Sequence, residues 1–302
     1  MLYFFKHQEF LMLKKSFYVF IAVMFVCSFP VAAAKPLNLT QSKELFAGQY
    51  KRIYDICLTT EGDICFAGDR KVVIADKEGN EKRSIDLPEW PRRIDIDSEG
   101  NVYVICEKDN GLCFIKYDKE GKELTKFDIT GPSRVSGFAA IGNELFISDG
   151  SKKAKGIYVY TMDGKQKTRI DDPDIQTCCS LLDISGGPDN RIYIANIGAY
   201  NILSCDTKGK KKSKWGKYKA DFGGCCNPTN VSVCANTNIV VAEKELHRIK
   251  IFTKKGKLLA TSEKGVLPKG CTDIPICGDK DMNVYVVDTQ TISIKIFSAS
   301  KK

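Results

Sequence analysis

Short apolar runs alternate with polar turn clusters along most of the chain. The pattern is clearest in residues 94–127, where the apolar runs 94–96, 102–105, 114–117 and 124–127 are separated by clusters of Asp, Glu, Asn, Lys and Gly. Runs of this length that are rich in β-branched and aromatic residues predict β-strands, and Asp, Asn and Gly tolerate the positive φ angles of tight turns. The segment is therefore predicted to form a four-stranded antiparallel meander, which needs neighbouring sheets to bury its faces.

The same unit recurs six times between residues 53 and 297. Each copy is about 40–48 residues long, a period that is typical of β-propeller blades. The last copy ends after its third strand, whereas residues 37–46 form a strand-like segment without a partner nearby. A ring in which this segment supplies the missing strand explains both observations. The sequence thus predicts an all-β protein, a six-bladed β-propeller with four antiparallel strands per blade, closed by the N-terminal strand.

The N-terminal segment has the features of a secretory signal peptide. Lys14 and Lys15 precede the apolar run 17–26, and the alanines at 32–34 provide an A-x-A cleavage site. The apolar run is short for a spanning helix, and no other segment approaches the roughly 20 apolar residues that such a helix needs. We therefore expect export to the periplasm or the extracellular medium, and no transmembrane segment in the mature chain.

The predicted boundaries are a signal peptide at residues 1–34, cleaved near Ala34, and one propeller domain at residues 35–302. Met12 is an alternative start of the leader. Two other interpretations of the leader remain open. One is an uncleaved anchor helix, and the other is lipid attachment at Cys27, whose flanking residues fit a lipid-attachment motif poorly.

Two copies of the repeat resemble NHL repeats. Residues 240–252 (VVAEKELHRIKIF) and residues 283–297 combine a strand, a polar residue and, a few positions later, an Ile-Lys-Ile-Phe segment. The resemblance covers about residues 53–297 and implies an NHL-like six-bladed propeller. It implies little about activity, because NHL-like propellers serve as protein scaffolds, RNA binders and lyases.

A second resemblance is narrower. Residues 223–230 (GGCCNPTN), followed downstream by Glu243 and Lys244, are similar to a group of bacterial exported NHL-repeat proteins that carry paired cysteines. The charged pair Glu243-Lys244 stands where the third, fourth and sixth copies continue with small or uncharged residues, which are Gly150, Ile197 and Thr289. Together with Asn196 and Asn230, these two residues are the candidate ligand-binding residues.

The chain contains thirteen cysteines, and all but Cys27 lie outside the leader. Five of them come just before the first strands of the fourth, fifth and sixth units. These are Cys178, Cys179, Cys225, Cys226 and Cys271. The first strands of propeller blades line the central channel. We therefore expect these five sulfurs to meet on one side of the channel mouth.

Three interpretations of this cysteine set remain open. Disulfides are the default in an exported chain, and one or two of them would join neighbouring blades. Alternatively, thiolates of Cys178, Cys179, Cys225 and Cys226 would hold a soft metal ion or an iron–sulfur cluster. The third interpretation is reactive or simply buried thiols. The other seven cysteines are predicted to lie in the core, and two of them, Cys106 and Cys113, flank a turn that a disulfide would close. The seven are Cys57, Cys65, Cys106, Cys113, Cys205, Cys234 and Cys277.

One polar residue ends the second strand of every unit, and its recurrence predicts a cap that accepts backbone N–H bonds. These residues are Asp69, Glu107, Asp149, Asn196, Glu243 and Asp288. If several of them point into the channel instead, their oxygens suit Ca²⁺. Glu243 and Asp288 would then be the calcium ligands of a propeller hydrolase or lactonase.

Charge and composition argue against several other functions. The formal net charge of +9 is spread over turns and strand edges, with one local run of lysines at residues 208–217. This run is predicted to be a solvated edge that prevents strand-to-strand aggregation, and no nucleic-acid partner is expected for an exported protein. His7 and His247 are the only histidines, so imidazole zinc sites and histidine general bases lack their usual residues. No G-x-S-x-G, P-loop or dinucleotide-binding motif occurs.

The sequence favours a non-enzymatic function. We expect an exported binding scaffold whose ligand or partner, a small molecule or a protein, binds at the channel mouth near the paired cysteines. One alternative is a redox protein that carries a metal ion or an iron–sulfur cluster on Cys178, Cys179, Cys225 and Cys226. The other alternative is the calcium-dependent propeller hydrolase or lactonase. The oligomeric state is left open.

Overall fold

The computed structural model describes residues 35–270 and 273–300. These residues contain twenty-four β-strands and no helix, so none of them forms a helix that could cross a membrane. The predicted signal peptide, with Met12, Cys27 and the cleavage site near Ala34, lies outside the described residues, and so does Cys271.

Most strands belong to four separate antiparallel sheets of four strands each, and the strands follow one another along the chain. The N-terminal strand β1 (Leu37–Leu45) precedes them. The first sheet contains β2 (Ile53–Leu58), β3 (Ile64–Gly68), β4 (Lys71–Ala75) and β5 (Glu81–Asp86). The second contains β6 (Trp90–Ile96), β7 (Val102–Lys108), β8 (Gly111–Tyr117) and β9 (Glu123–Ile129). The third contains β10 (Gly137–Ile141), β11 (Glu144–Asp149), β12 (Gly156–Thr161) and β13 (Gln166–Ile170). The fourth contains β14 (Ile184–Gly186), β15 (Arg191–Asn196), β16 (Asn201–Asp206) and β17 (Lys211–Trp215).

The remaining strands form one eight-stranded sheet together with β1. They are β18 (Asn230–Val233), β19 (Ile239–Glu243), β20 (Arg248–Phe252), β21 (Leu258–Ser262), β22 (Ile276–Gly278), β23 (Val284–Asp288) and β24 (Ser293–Ser300). The strand order is β18-β19-β20-β21-β1-β24-β23-β22. Strand β1 pairs antiparallel with β24 and parallel with β21, so it joins two antiparallel halves and covers the outer edge of each.

The first strands of the successive units contact one another in a closed cycle. Strand β2 contacts β6, and the cycle continues through β10, β14, β18 and β22 back to β2. Second and third strands, such as β3 and β8, are almost entirely buried, whereas the fourth strands β5, β9 and β13 are mostly exposed. This gradient from a buried centre to a solvated rim is the propeller-like arrangement that the repeat predicts, and the all-β architecture is confirmed.

Several cysteines pack in the apolar clusters between sheets. Cys65, Cys106 and Cys113 lie in the cluster between the first and second sheets, and Cys205 lies in the cluster between the third and fourth. Cys106 and Cys113 face each other across β7 and β8 as free thiols. These residues therefore serve as small apolar side chains, as expected for the core.

Candidate functional site

Three of the predicted cysteines meet where the loops before β14 and β18 come together. The Sγ atoms of Cys178 and Cys226 are 2.7 Å apart, and the Sγ atom of Cys179 is 3.7 Å from each of them. Cys226 is buried and Cys179 is exposed, so the cluster is accessible from one side. We call Cys178, Cys179 and Cys226 the thiol cluster. It joins residues that are 48 positions apart in the chain.

Two of the three separations between the sulfurs suit a tetrahedral metal ion. Metal–thiolate bonds of about 2.3 Å place the sulfurs of a tetrahedral site about 3.8 Å apart. The two separations from Cys179 Sγ, both 3.7 Å, match this value. The separation between Cys178 and Cys226 is longer than an S–S bond of about 2.05 Å, and it would widen by about 1 Å when both sulfurs bind one ion.

Lys244 lies beside the thiol cluster and is itself buried. Its Nζ atom donates to Cys179 Sγ at 3.5 Å. Burial, together with hydrogen bonds from the neighbouring thiols, raises the pKa of Cys226 well above its usual range, and the positive charge of Lys244 opposes this shift. A bound cation would oppose it more strongly, because metal ions stabilise the thiolate form.

The backbone around the sulfurs adopts an uncommon conformation. Cys179, Ser180 and Cys226 all have φ angles near +55°, in the left-handed region that non-glycine residues rarely occupy. The N–H of Leu181 donates to the carbonyl of Cys178 at 3.1 Å, which closes a tight turn. Strained residues of this kind persist only where the surroundings hold them, and they are concentrated at functional sites.

Side chains from the neighbouring strands hold these loops in place. Asn196 accepts a hydrogen bond from the N–H of Gln176 at 2.7 Å, two residues before the thiol cluster begins. Glu243 accepts one from the N–H of Gly223 at 3.0 Å. Asn227 accepts one from the N–H of Lys244 at 2.8 Å and thereby ties the second cysteine loop to the end of β19. The candidate residues Asn196 and Glu243 thus anchor the two cysteine loops, and both are fully buried.

The predicted caps at the ends of the second strands are present in five of the six units. Asp69, Asp149, Asn196, Glu243 and Asp288 each accept at least one backbone N–H bond. Glu107 is the exception, because its carboxylate forms an ion pair with Arg92. Glu243 and Asp288 are also neutralised by cations on the adjacent strand, by Arg248 and by Lys295. These two carboxylates share no partner, so the arrangement does not present them jointly to a calcium ion.

Two predicted cysteines are not members of the thiol cluster. Cys225 is exposed, and its Sγ atom donates to the Glu245 carboxylate at 3.6 Å. Cys271 falls outside the described residues. Cys225 is adjacent in sequence to Cys226, and hydrogen bonding between the two thiols contributes to the raised pKa of Cys226, so a fourth sulfur lies next to one member of the cluster.

Gly224 is required for the shape of the second cysteine loop. Its φ angle is +73°, and a Cβ atom there would overlap the Cβ and Cγ atoms of Glu245. Gly48 has the same φ angle of +73° and no neighbour within 4 Å of such a Cβ atom. We expect Gly224→Ala to lower the free energy of unfolding by about 1–3 kcal/mol more than Gly48→Ala does. Urea unfolding of both variants measures the difference, and equal losses would show that the contact with Glu245 is unimportant.

The channel wall contains a network of buried polar side chains that the sequence analysis missed. Asp55 accepts a hydrogen bond from the N–H of Ile94, and Asp95 accepts one from the N–H of Ala140, both at 2.9 Å. Asp183 accepts one from Val231 at 2.9 Å, and Asn230 accepts one from Ile274 at 3.0 Å. In each case a side chain of one first strand, or of the residue before it, bonds to the backbone of the next first strand or, for Ile274, of the segment just before it. Asn230 therefore has a clear structural role in the ring.

Arg93 supplies the positive charge at the centre of this network. Its guanidinium forms an ion pair with Asp273 and donates to the carbonyl of Ser136 at 2.6 Å. Asn230 Nδ2 donates to the same Asp273 carboxylate at 2.6 Å. Burial lowers the pKa of Arg93, but the nearby carboxylates of Asp273, Asp55 and Asp183 outweigh burial and raise it above its usual value. A sequence signal for the network exists, because Asp-Ile occurs in or near the first strands at residues 55, 95, 183 and 273, although the same dipeptide also occurs elsewhere, at residues 63, 128 and 174.

Two of these carboxyls make the stability depend on pH. Burial raises the pKa of Asp55 to about 7 and that of Asp95 to about 6, whereas unfolded aspartates titrate near pH 4. The folded protein therefore binds these protons more tightly than the unfolded chain does. The stabilisation that results is complete below about pH 4, and it is lost as the pH rises through 6 and 7. The pKa values of other carboxyls, such as Asp149 and Asp288, are lowered in the folded protein. These groups stabilise the fold above about pH 4, and their stabilisation is lost as the pH falls below that value.

We expect the free energy of unfolding to fall between about pH 4 and pH 7, by at most about 1.4 kcal/mol per pH unit for each of the two groups. Asp55→Asn should flatten this slope, because the amide oxygen keeps the bond from Ile94 without taking up a proton. Denaturant unfolding at several pH values measures the slope. A variant with the same slope as the unmodified protein would show that Asp55 titrates normally.

Comparisons with known proteins identify the fold. A streptogramin B lyase matches with a TM-score of 0.60 at 14% identity, over 88% of this chain and 100% of that chain. A gluconolactonase from Xanthomonas campestris matches with a TM-score of 0.58 at 11% identity, over 89% of this chain and 96% of that chain. The PQQ-bound aldose sugar dehydrogenase from Streptomyces coelicolor matches with a TM-score of 0.57 at 11% identity, over 88% of this chain and 100% of that chain.

The sequence itself matches no protein-family model and no curated protein. At identities of 11–14%, the structural likeness shows the fold alone. The similar structures are β-propellers, so the propeller architecture is confirmed, and membership of the NHL family stays a prediction.

Proposed function

We propose that this chain is an exported, NHL-like six-bladed propeller that serves as a binding scaffold, and that the thiol cluster at its mouth binds a soft metal ion. The cyclic contacts among the six first strands support six blades, with β1 as the outer strand of the last one. The pattern of Lys14, Lys15 and the apolar run after them supports export.

The observation that carries the metal site is the approach of three thiol sulfurs within 4.8 Å of one another. Cys178, Cys179 and Cys226 provide soft ligands, which favour ions such as Zn²⁺ and Cu⁺. Cys225 is the candidate fourth ligand because it is exposed and adjacent to Cys226. The capping residues Asn196 and Glu243 accept hydrogen bonds from the backbone of the two cysteine loops. In metal sites, hydrogen bonds of this kind outside the ligand set hold the ligands in position.

A titration with Cd²⁺ under anaerobic conditions tests this proposal. We expect one equivalent to bind with the absorbance of thiolate-to-metal charge transfer, and Cys179→Ser to weaken binding by about tenfold or more. Cys57→Ser is the matched control, since Cys57 is a free thiol in the first sheet, away from the cluster. Equal binding by all three proteins, or no charge-transfer absorbance, would contradict the proposal.

A second candidate is favoured by the 2.7 Å separation of Cys178 and Cys226. Oxidation of these two thiols would form a disulfide that joins the fourth sheet to the eight-stranded sheet. Such a bond closes a long loop and stabilises the protein by about 2–4 kcal/mol. Intact mass before and after reduction distinguishes this disulfide from a metal-bound set of thiolates.

A further inference from the structure

A large cavity opens among the loops that precede β2 and β10, strand β6, and the turn between β7 and β8. Its volume is about 870 Å³, within the size range of pockets that hold small organic ligands. Leu181, which follows the thiol cluster in the chain, lines it from one side. The other lining residues come mainly from the first three units, so the cavity is distinct from the thiol cluster.

Cationic side chains dominate this cavity. Six of them line it, against three carboxylates. The cations are Lys51, Arg52, Arg92, Arg93, Lys108 and Arg134. The carboxylates are Glu107, Asp109 and Asp273. The lining therefore carries an excess of positive charge. Because the site is concave, the electrostatic potential of these charges is concentrated in it.

Half of these cations have their charge compensated by the protein. Arg92 pairs with Glu107, Arg93 with Asp273, and Lys108 with Asp128. No carboxylate of the described residues lies within ion-pair distance of the other three. These are Lys51, Arg52 and Arg134, which are exposed to the cavity solvent.

Two of the uncompensated cations, Arg52 and Arg134, act on Arg92, which lines the same cavity. Burial lowers the pKa of Arg92; Tyr54 opposes this shift, and repulsion from Arg52, Arg93 and Arg134 adds to it. The Arg92 guanidinium lies 5.7 Å from the centre of the Tyr54 ring, which holds it in position. An anion placed between these groups would relieve their repulsion.

The lysine run at residues 208–217 differs from this cavity in two respects. Lys211 and Lys214 pair with Asp174, and Lys212 pairs with Asp206. These lysines also lie along the exposed fourth strand β17 and its turn, not in a concave site. The positive charge of the run is therefore partly neutralised and spread over an edge, as the sequence predicts.

We propose that the cavity binds a polyanion that carries two or more carboxylate or phosphate groups. Arg52 and Arg134 would each engage one anionic group through the fork of the guanidinium, a geometry that fits both carboxylate and phosphate. Lys51 adds a third charge at the same entrance. This binding function goes beyond the metal site, because the two sites use different residues and different ligand chemistry.

Calorimetric titration of the full protein at fixed ionic strength tests the proposal, with citrate and pyrophosphate as separate probes and acetate as the singly charged control. We expect citrate, pyrophosphate or both to bind more tightly than acetate. Whichever probe binds identifies the acid group. Arg134→Gln and Arg52→Gln should each weaken that binding by about tenfold or more, the usual effect of losing a charged hydrogen bond.

Lys210→Gln is the matched control, because it removes one exposed positive charge from the lysine run. We expect it to leave binding unchanged. Arg52, Arg134 and Lys210 are all exposed, so the variants should keep the melting temperature of the unmodified protein. Absence of binding by both polyanions, acetate binding of equal strength, or equal weakening by Lys210→Gln would each overturn the proposal.

Discussion

Replacing Arg93 with methionine is expected to lower the free energy of unfolding by about 3–5 kcal/mol. Arg93 is buried and is the ion-pair partner of Asp273. Methionine occupies similar space but leaves the Asp273 carboxylate without its ion-pair partner, close to the buried side chains of Asp55 and Asp183. A domain of this kind is typically stable by only about 5–15 kcal/mol, so the loss is a large share of the total.

Urea unfolding at pH 7 measures this loss, and a double variant identifies its cause. Arg93→Met combined with Asp273→Asn removes both charges of the ion pair, so it should recover part of the stability that Arg93→Met alone loses. Lower pH should also reduce the cost, because burial raises the pKa values of Asp55 and Asp183 and both become neutral. A loss below about 1 kcal/mol, or losses that simply add in the double variant, would contradict this role.

Leu39→Ala is the second large effect, with an expected loss of about 2–5 kcal/mol. Leu39 is 1% exposed and lies in the hydrophobic cluster that joins both halves of the eight-stranded sheet. It is paired with Ala299 of β24 and with Ser262 of β21. Truncation of Leu39 leaves a cavity beside β1, and within the described sheet β1 is the only strand between β21 and β24.

Gln41→Ala is the matched control, because Gln41 lies on the same strand and is exposed. We expect a change within about 0.5 kcal/mol for this variant. Thermal and urea unfolding of both variants give the comparison. Similar small changes for both would mean that β1 adds little to the stability of the ring.

The sequence predicted most of the fold because its signals are local. Alternating apolar residues and turn glycines such as Gly100 and Gly121 define strands within a few residues, and the missing strand of the last unit identified a role for β1. The pairing of β1 with β21 was not predicted. It is a parallel contact between segments more than 200 residues apart, and no local pattern encodes such a contact.

The sequence also predicted part of the candidate site, the approach of the cysteines, but not the residues that surround it. Cys178, Cys179 and Cys226 were placed together because equivalent positions in successive units lie at the same end of a propeller. The Arg93 network was missed, since an ion pair between Arg93 and Asp273 depends on closure of the whole ring. The anchoring of the cysteine loops by Asn196 and Glu243 was predicted only as capping, because the sequence does not show which loop a cap will hold.

Native mass spectrometry of protein purified without oxygen is the direct test of the metal site. We expect a mass equal to the mature chain plus one metal ion, less the protons that the thiolates release, and loss of that ion in Cys179→Ser. A metal-free mass would contradict the metal site. If that mass is also two hydrogens lighter than the reduced chain, and the difference disappears in Cys226→Ser, the cluster is a disulfide between neighbouring sheets.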